Sequence, residues 1–242
     1  MIDGLAGLSL PTMLLAVAIM AVGSGLQAAL GMGLGLFVVP LLALLDERFV
    51  PGPILVAAIL LSLGMARRER HAIEWAGLRI AIAGLLVGTV AGAVILSLVN
   101  AAYLPRLFGA LILFLVTLTV CGVRVSPGQP ALLAVGAISG VMGAMVGIHG
   151  PLIALVLQDS SPSRLRAMLA AFFLVGYVSG VIALAGAGLL GLEHLLLGVV
   201  LIPGAIVGYL AGPFLARRLD RKLLRVGILT VSTISAVSLL LK

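Results

Sequence analysis

One cysteine, Cys121, serves a chain of 242 residues. It excludes an internal disulfide and any multi-cysteine zinc or iron–sulfur site. Charge is scarce as well. Only 10% of residues are Asp, Glu, Lys or Arg, where soluble domains carry about a quarter. The eight acidic residues, Asp3, Asp46, Glu47, Glu69, Glu74, Asp159, Glu193 and Asp220, all fall at the ends of apolar segments or in loops. No carboxylate relay for protons or cations through a membrane is expected. The start, Met1-Ile-Asp3-Gly4, has no basic region ahead of the first apolar run, so that run is expected to be retained rather than cleaved. No polar linker is long enough to hold a soluble domain.

What fills the chain instead is apolar sequence, 62% of all residues, in runs long enough to make a bilayer the solvent. Eight segments can be read: 11–45, 50–66, 74–98, 102–123, 131–158, 167–188, 192–216 and 223–241. Six have ordinary spanning lengths. The first would make a helix of roughly 52 Å at ~1.5 Å per residue, too long for a ~30 Å hydrocarbon core and too short for two full spans with a turn. Segments 11–45 and 131–158 both carry glycine clusters internally, where a helix breaks most easily. Each is expected to be a re-entrant hairpin of two short half-helices that enters and leaves on one side.

The net charge of +7 raises the question of nucleic acid, but in an integral membrane protein basic residues mark cytoplasmic loops and anionic headgroups. No nucleic-acid partner is expected; the lipid bilayer is. If all eight segments crossed once, the fifteen Lys and Arg would divide 9 to 6. With 11–45 and 131–158 as hairpins the split becomes 12 to 3, leaving Arg48, Arg106 and Lys242 outside with both termini. Each half then holds one hairpin and three spans, an odd number, so the halves point in opposite directions.

The glycines repeat accordingly. Gly84-x-x-x-Gly88-x-x-x-Gly92 and Gly204-x-x-x-Gly208-x-x-x-Gly212 stand 120 positions apart, and Gly31-Met-Gly33-Leu-Gly35 precedes Gly147-Ile-His149-Gly150-Pro151 by 116. The fold class read from these features is an all-α polytopic membrane protein of two inverted-topology repeats, 1–123 and 124–242. Each repeat is a broken hairpin plus three transmembrane helices. Internal duplication of this kind is characteristic of secondary transporters, which build a site between related halves. The glycine triplets at 84–92 and 204–212 lie on one helical face and are read as close helix contacts. The same spacing occurs at membrane dimer interfaces, so a homo-oligomer is compatible with it.

Non-helical backbone inside a bilayer must be buried in protein or line a polar cavity, so the breaks are the expected place for a site. Half-helices beginning at Gly31 or Gly147 would present free N–H groups and the positive end of a dipole to an anion. The expected substrate-binding residues are Gln27, Gly31, Gly33, Gly147, His149 and Gly150. His149 is the one histidine of the membrane core, the residue type whose unperturbed ring changes charge near neutral pH, and Gln27 lies one turn before Gly31. Ser24, Ser139, Arg166 and Tyr177 are secondary candidates. No catalytic residue, metal or cofactor is expected. A serine protease pairing Ser139 or Ser179 with His149 is disfavoured, because Gly136-Ala-Ile-Ser139-Gly140 and Gly176-Tyr-Val-Ser179-Gly180 are each one residue longer than the Gly-x-Ser-Gly signature of rhomboid-type proteases.

At these residues the chain resembles the TauE/SafE family of sulfite exporters. The likeness is carried by Gly31-x-Gly33-x-Gly35 running into Val38-Val39-Pro40. It continues in Gly140-x-x-Gly143-x-x-x-Gly147-Ile-His149-Gly150-Pro151 and in Arg166-Ala167-Met168-Leu169-Ala170-Ala171-Phe172-Phe173. His149 and Pro151 stand where the family commonly has glycine. The resemblance implies a multi-pass protein of the bacterial inner membrane. It implies export of sulfite or related small sulfur anions such as thiosulfate or organosulfonates. An anion channel or facilitator is the alternative, and an intramembrane enzyme a remote one.

Overall fold

The computed structural model describes residues 7–31, 34–122, 128–218 and 220–242. Gly33 and Arg124 therefore lie outside the described residues. The described chain is helical throughout: α1 (Leu10–Leu30), α2 (Leu34–Leu45), α3 (Gly52–Arg68), α4 (Trp75–Ser97), α5 (Leu104–Cys121), α6 (Gln129–Val146), α7 (Gly150–Val156), α8 (Pro162–Gly186), α9 (Leu192–Arg218) and α10 (Arg221–Leu240). Among the described residues seven helices are long and apolar enough to cross a membrane, and the molecule is a multi-pass membrane protein.

Each overlong segment is broken into two helices, α1 with α2 and α6 with α7. The half-helix expectation needs correction for the first member of each pair. At ~1.5 Å per residue α1, with 21 residues, is about 31 Å long and α6, with 18, about 27 Å. Both can cross, and only the return limbs α2 and α7 are short, at 12 and 7 residues. Local chemistry fixes the ends. Ser9 caps α1 by accepting from the Thr12 N–H, and Gly31 ends it at φ +86°. Gly147 ends α6 at φ +79°. Left-handed backbone of this kind favours glycine because a Cβ would crowd the following carbonyl.

The glycine triplets now have partners. Carbons added at Gly84, Gly88 and Gly92 would run into the backbone of Leu133, Ala137 and Val141 on α6. Gly204, Gly208 and Gly212 lie in the same way against Val17, Ala21 and Ala28 on α1. In lipid, apolar side chains gain little by leaving the tails, so such backbone approach is what holds helices together. The opposite face of α4, with Val87, Val90 and Val94, is exposed and suits acyl chains. The rising register of these contacts makes α4 parallel to α6 and α1 parallel to α9. Helix α3 runs parallel to α9, since Gly198 meets Val56 and the Tyr209 hydroxyl donates to the Gly64 carbonyl.

These registers place the helix ends. The C-termini of α3 and α9, and so positions 67–70 and 217–218, fall at one end of the bundle. The N-terminus of α8 joins them through Arg166–Glu69 and Arg164–Glu74 ion pairs. At the other end Arg48, between α2 and α3, pairs with Glu193 at the start of α9, and Lys242 reaches the Leu44 carbonyl. The two hairpins point opposite ways. The tip of the first reaches the basic end, where Gly31 packs against Arg166. The tip of the second lies toward the other end, with Gly147 nearest Val39, Leu55 and Pro51.

Candidate functional site

The hairpins meet where Gly35 of α2 packs against Ile148, and a cavity of about 280 Å³ opens beside that contact. Its buried end holds Gln27 from α1, His149 from the break before α7, and Tyr177 from α8, each 1–2% exposed. Its mouth, at the basic end, is formed by Gln158 and by Arg225 of α10, both exposed. The walls between are mainly apolar, with Leu36, Leu155, Ile228, Leu229 and Phe173 among them. No acidic side chain lines the cavity among the described residues.

The imidazole of His149 occupies space that two glycines leave free. A carbon added at Gly143 of α6 or Gly176 of α8 would fall onto the ring. The Tyr177 ring stands edge-on to it, with centroids 5.0 Å apart at 89°, the geometry aromatic quadrupoles favour. Phe173, one turn earlier on α8, packs against Tyr177 with the rings tilted at 40° and their centroids 6.0 Å apart. The Gly176 carbonyl lies close to the imidazole, yet neither ring nitrogen makes a well-formed hydrogen bond. Gln27 lies beside the Tyr177 hydroxyl, while its Nε2 has no well-formed partner of its own. Buried polar groups are ordinarily satisfied, so these donors retain capacity to bond a polar guest in the cavity.

The sequence candidates thus divide. Gln27, His149, Gly150 and Tyr177 come together at one cavity. Gly31 and Gly147 do not line it, and their N–H groups are already committed to the carbonyls of Gln27 and Gly143, closing the last turns of α1 and α6. Backbone donation to an anion from those two positions therefore gives way to a capping role. Ser24 and Ser139 are buried on α1 and α6, away from the cavity lining. Arg166 is held by Glu69 at 3.0 Å, with side chains 24% and 16% exposed. Neither Ser139 nor Ser179, whose hydroxyl donates to the Gly176 carbonyl, lines the cavity with His149.

Three polar lining residues are not singled out by the sequence: Thr119, Gln158 and Arg225. The Arg225 guanidinium donates to the Thr119 carbonyl at 2.8 Å, which fixes a cation at the mouth by tying α10 to α5. Arg225 entered the sequence reading only as one member of the basic count. The pairing of positions 119 and 225 is a tertiary fact with no local pattern.

A polytopic helical membrane protein with a donor-lined, carboxylate-free cavity between two opposed broken hairpins belongs to the transporter class. The family is specific: the sulfite exporter TauE/SafE family model matches residues 14–239, and the chain belongs to that family. Comparison with curated proteins and with solved structures returned no match.

Proposed function

We propose that this protein is a secondary transporter that exports sulfite or related small sulfur-containing anions, thiosulfate and organosulfonates among them, across the bacterial cytoplasmic membrane. The carrying observation is the convergence of Gln27, His149 and Tyr177, from both hairpins and α8, on one buried cavity free of carboxylates. Neutral donors in a low-dielectric setting bind an anion strongly because water no longer competes for them. Arg225 at the mouth attracts the anion and raises its local concentration.

The basic end of the bundle is assigned to the cytoplasm by the excess of Lys and Arg there, which puts both termini outside. The two halves, 1–123 and 124–242, are read as inverted repeats. Two features support this: the opposite directions of the hairpins, and the exchange of partners by which α1 packs on α9 while α6 packs on α4. With the mouth at the cytoplasmic end and the two hairpins in contact through Ile148 and Gly35, the arrangement supports an inward-facing transporter over a continuous anion channel.

The test is sulfite efflux from proteoliposomes. Wild-type protein is expected to carry sulfite, and His149→Ala to lower apparent affinity about tenfold, the loss expected for a hydrogen bond to a charged group. His149→Gln, which keeps a donor, is expected to retain more affinity than alanine. Wild-type liposomes no leakier to sulfite and sulfonates than empty ones would overturn the proposal. Flux that follows only the anion's own electrochemical gradient, with no coupling to a proton gradient, would turn it into the channel alternative.

A further inference from the structure

We infer that the cavity selects sulfonates carrying an apolar body, linear alkyl- or arylsulfonates, over bare sulfite, an inference that rests on the anion-export reading above. The first ground is size. At ~30 Å³ per water in the liquid, about 280 Å³ is room for about nine waters. Sulfite has only four heavy atoms and would occupy the donor end alone. The second ground is the separation of polar from apolar surface. The donors Gln27, His149 and Tyr177 cluster at the buried end, while Leu36, Leu155, Ile228 and Leu229 wall the passage from there to the mouth. An anion without a tail leaves those walls facing water, whereas a tail displaces that water. The third is charge. The donor end offers hydrogen bonds and no carboxylate or fixed cation, so a sulfonate, a monoanion at any working pH, is desolvated there far more easily than the dianionic form of sulfite, which would have to enter as hydrogensulfite. The sulfonate head therefore sits at Gln27, His149 and Tyr177, and the tail points along α7 and α10 toward Arg225.

The experiment titrates full-length protein in nanodiscs with sulfite and with methane-, ethane-, propane- and butanesulfonate, subtracting empty discs. Affinity is expected to rise about fourfold per added methylene, the gain from burying one CH₂. Ala154 of α7 also lines the cavity, and Ala154→Leu fills the space the tail would use. Leu229→Asn keeps the branched shape of a wall residue but makes it polar, and serves if the first variant does not fold. The readout is the slope of log affinity against chain length, which a general loss of binding does not flatten; it is expected to fall in either variant. Equal affinity for methane- and butanesulfonate in the wild type would overturn the inference and leave anion export intact. A slope surviving in both variants would overturn the placement of the tail. Failure of sulfite and every sulfonate to bind would instead overturn the export reading on which the inference rests.

Discussion

The first hairpin returns through twelve residues of α2, the second through only seven of α7, and the two deliver their donors differently. Gln27 stands on the long limb, one turn before the break, and reaches the cavity as an ordinary helical side chain. His149 stands in the break itself, and its ring needs the missing side chains of Gly143 and Gly176 to fit. The tips differ too. Gly31 lies against the Cγ of Arg166 at the basic end, whereas Gly147 lies among Val39, Leu55 and Pro51 at ordinary van der Waals distances. The two hairpins therefore put a polar group into the same cavity by different local means. What the hairpins share is the way their long limbs are held, by backbone contact with the glycine faces of α9 and α4.

The harshest way to break that shared feature is to fill it. A side chain at Gly88 would enter the Ala137 carbonyl, and one at Gly208 the Ala21 carbonyl and the Ser24 side chain. Neither partner is a flexible side-chain end, so the helices must separate. Gly88→Val and Gly208→Val are each expected to cost about 3 kcal/mol or more and to show as lost monodisperse protein and a lower unfolding temperature. Gly227 on α10 has nothing within 4 Å of an added carbon, and Gly227→Ala should stabilise by up to ~1 kcal/mol through helix propensity. A severe loss at Gly88 with none at Gly208 would end the equivalence of the two long limbs.

These contacts also show how far the residues alone could be read. The triplets announced close packing, because small residues every fourth position do so on any membrane helix, but their partners sit about fifty positions away on α6 and nearly two hundred away on α1. The breaks were legible from the mismatch of 35 apolar positions with bilayer thickness. That the first limb runs 21 residues before breaking was less so, because glycines at 31, 33 and 35 offered three places to stop. His149 and Gln27 were visible as polar residues in apolar surroundings. The capping role of Gly31 and Gly147 is not legible in sequence for a definite reason: a glycine at a helix end fits a free N-terminus or a left-handed C-cap equally well, and only the sign of φ decides. Arg225 lay hidden among fifteen cations, since nothing in its neighbourhood points to Thr119.

A finer probe separates the two tips. Gly31 and Gly147 both have positive φ, where alanine is expected to cost about 1–2 kcal/mol and asparagine less. At Gly147 the surroundings accept a side chain, the nearest atom lying 3.6 Å from an added carbon; at Gly31 Arg166 is already at 3.0 Å. Gly147→Asn is therefore expected to unfold within a few degrees of wild type and Gly31→Asn distinctly lower. Chemical denaturation in the same nanodiscs would supply the ranking. The reverse order would mean that the first tip yields more readily than its contact with Arg166 implies.

The smallest effect is expected where the hairpins leave the membrane. The second is followed by Arg166–Glu69 and Arg164–Glu74 pairs on α8, while the first ends at Asp46, which sits in the loop before α3. Asp46 accepts from Arg48 Nη2 at 2.7 Å, from its Nε at 3.0 Å and from its backbone N–H at 2.9 Å, and the same guanidinium reaches Glu193 at 2.8 Å. This fork holds the Asp46 carboxyl below the usual carboxylate range, against the opposing effect of partial burial. A carboxyl whose pKa is lower folded than unfolded adds stability above its unfolded value of about 3.9, and that stability is lost as pH falls through the folded value. Because Arg48 is 40% exposed, solvent screening limits the effect, and Asp46→Asn is expected to cost at most about 1 kcal/mol at pH 7. Unfolding temperatures of the two proteins should differ by a few degrees there and converge well below pH 4, where the wild-type carboxyl becomes neutral. A gap of the same size at both pH values would assign the difference to the shape of the loop and remove the ion pair from the account.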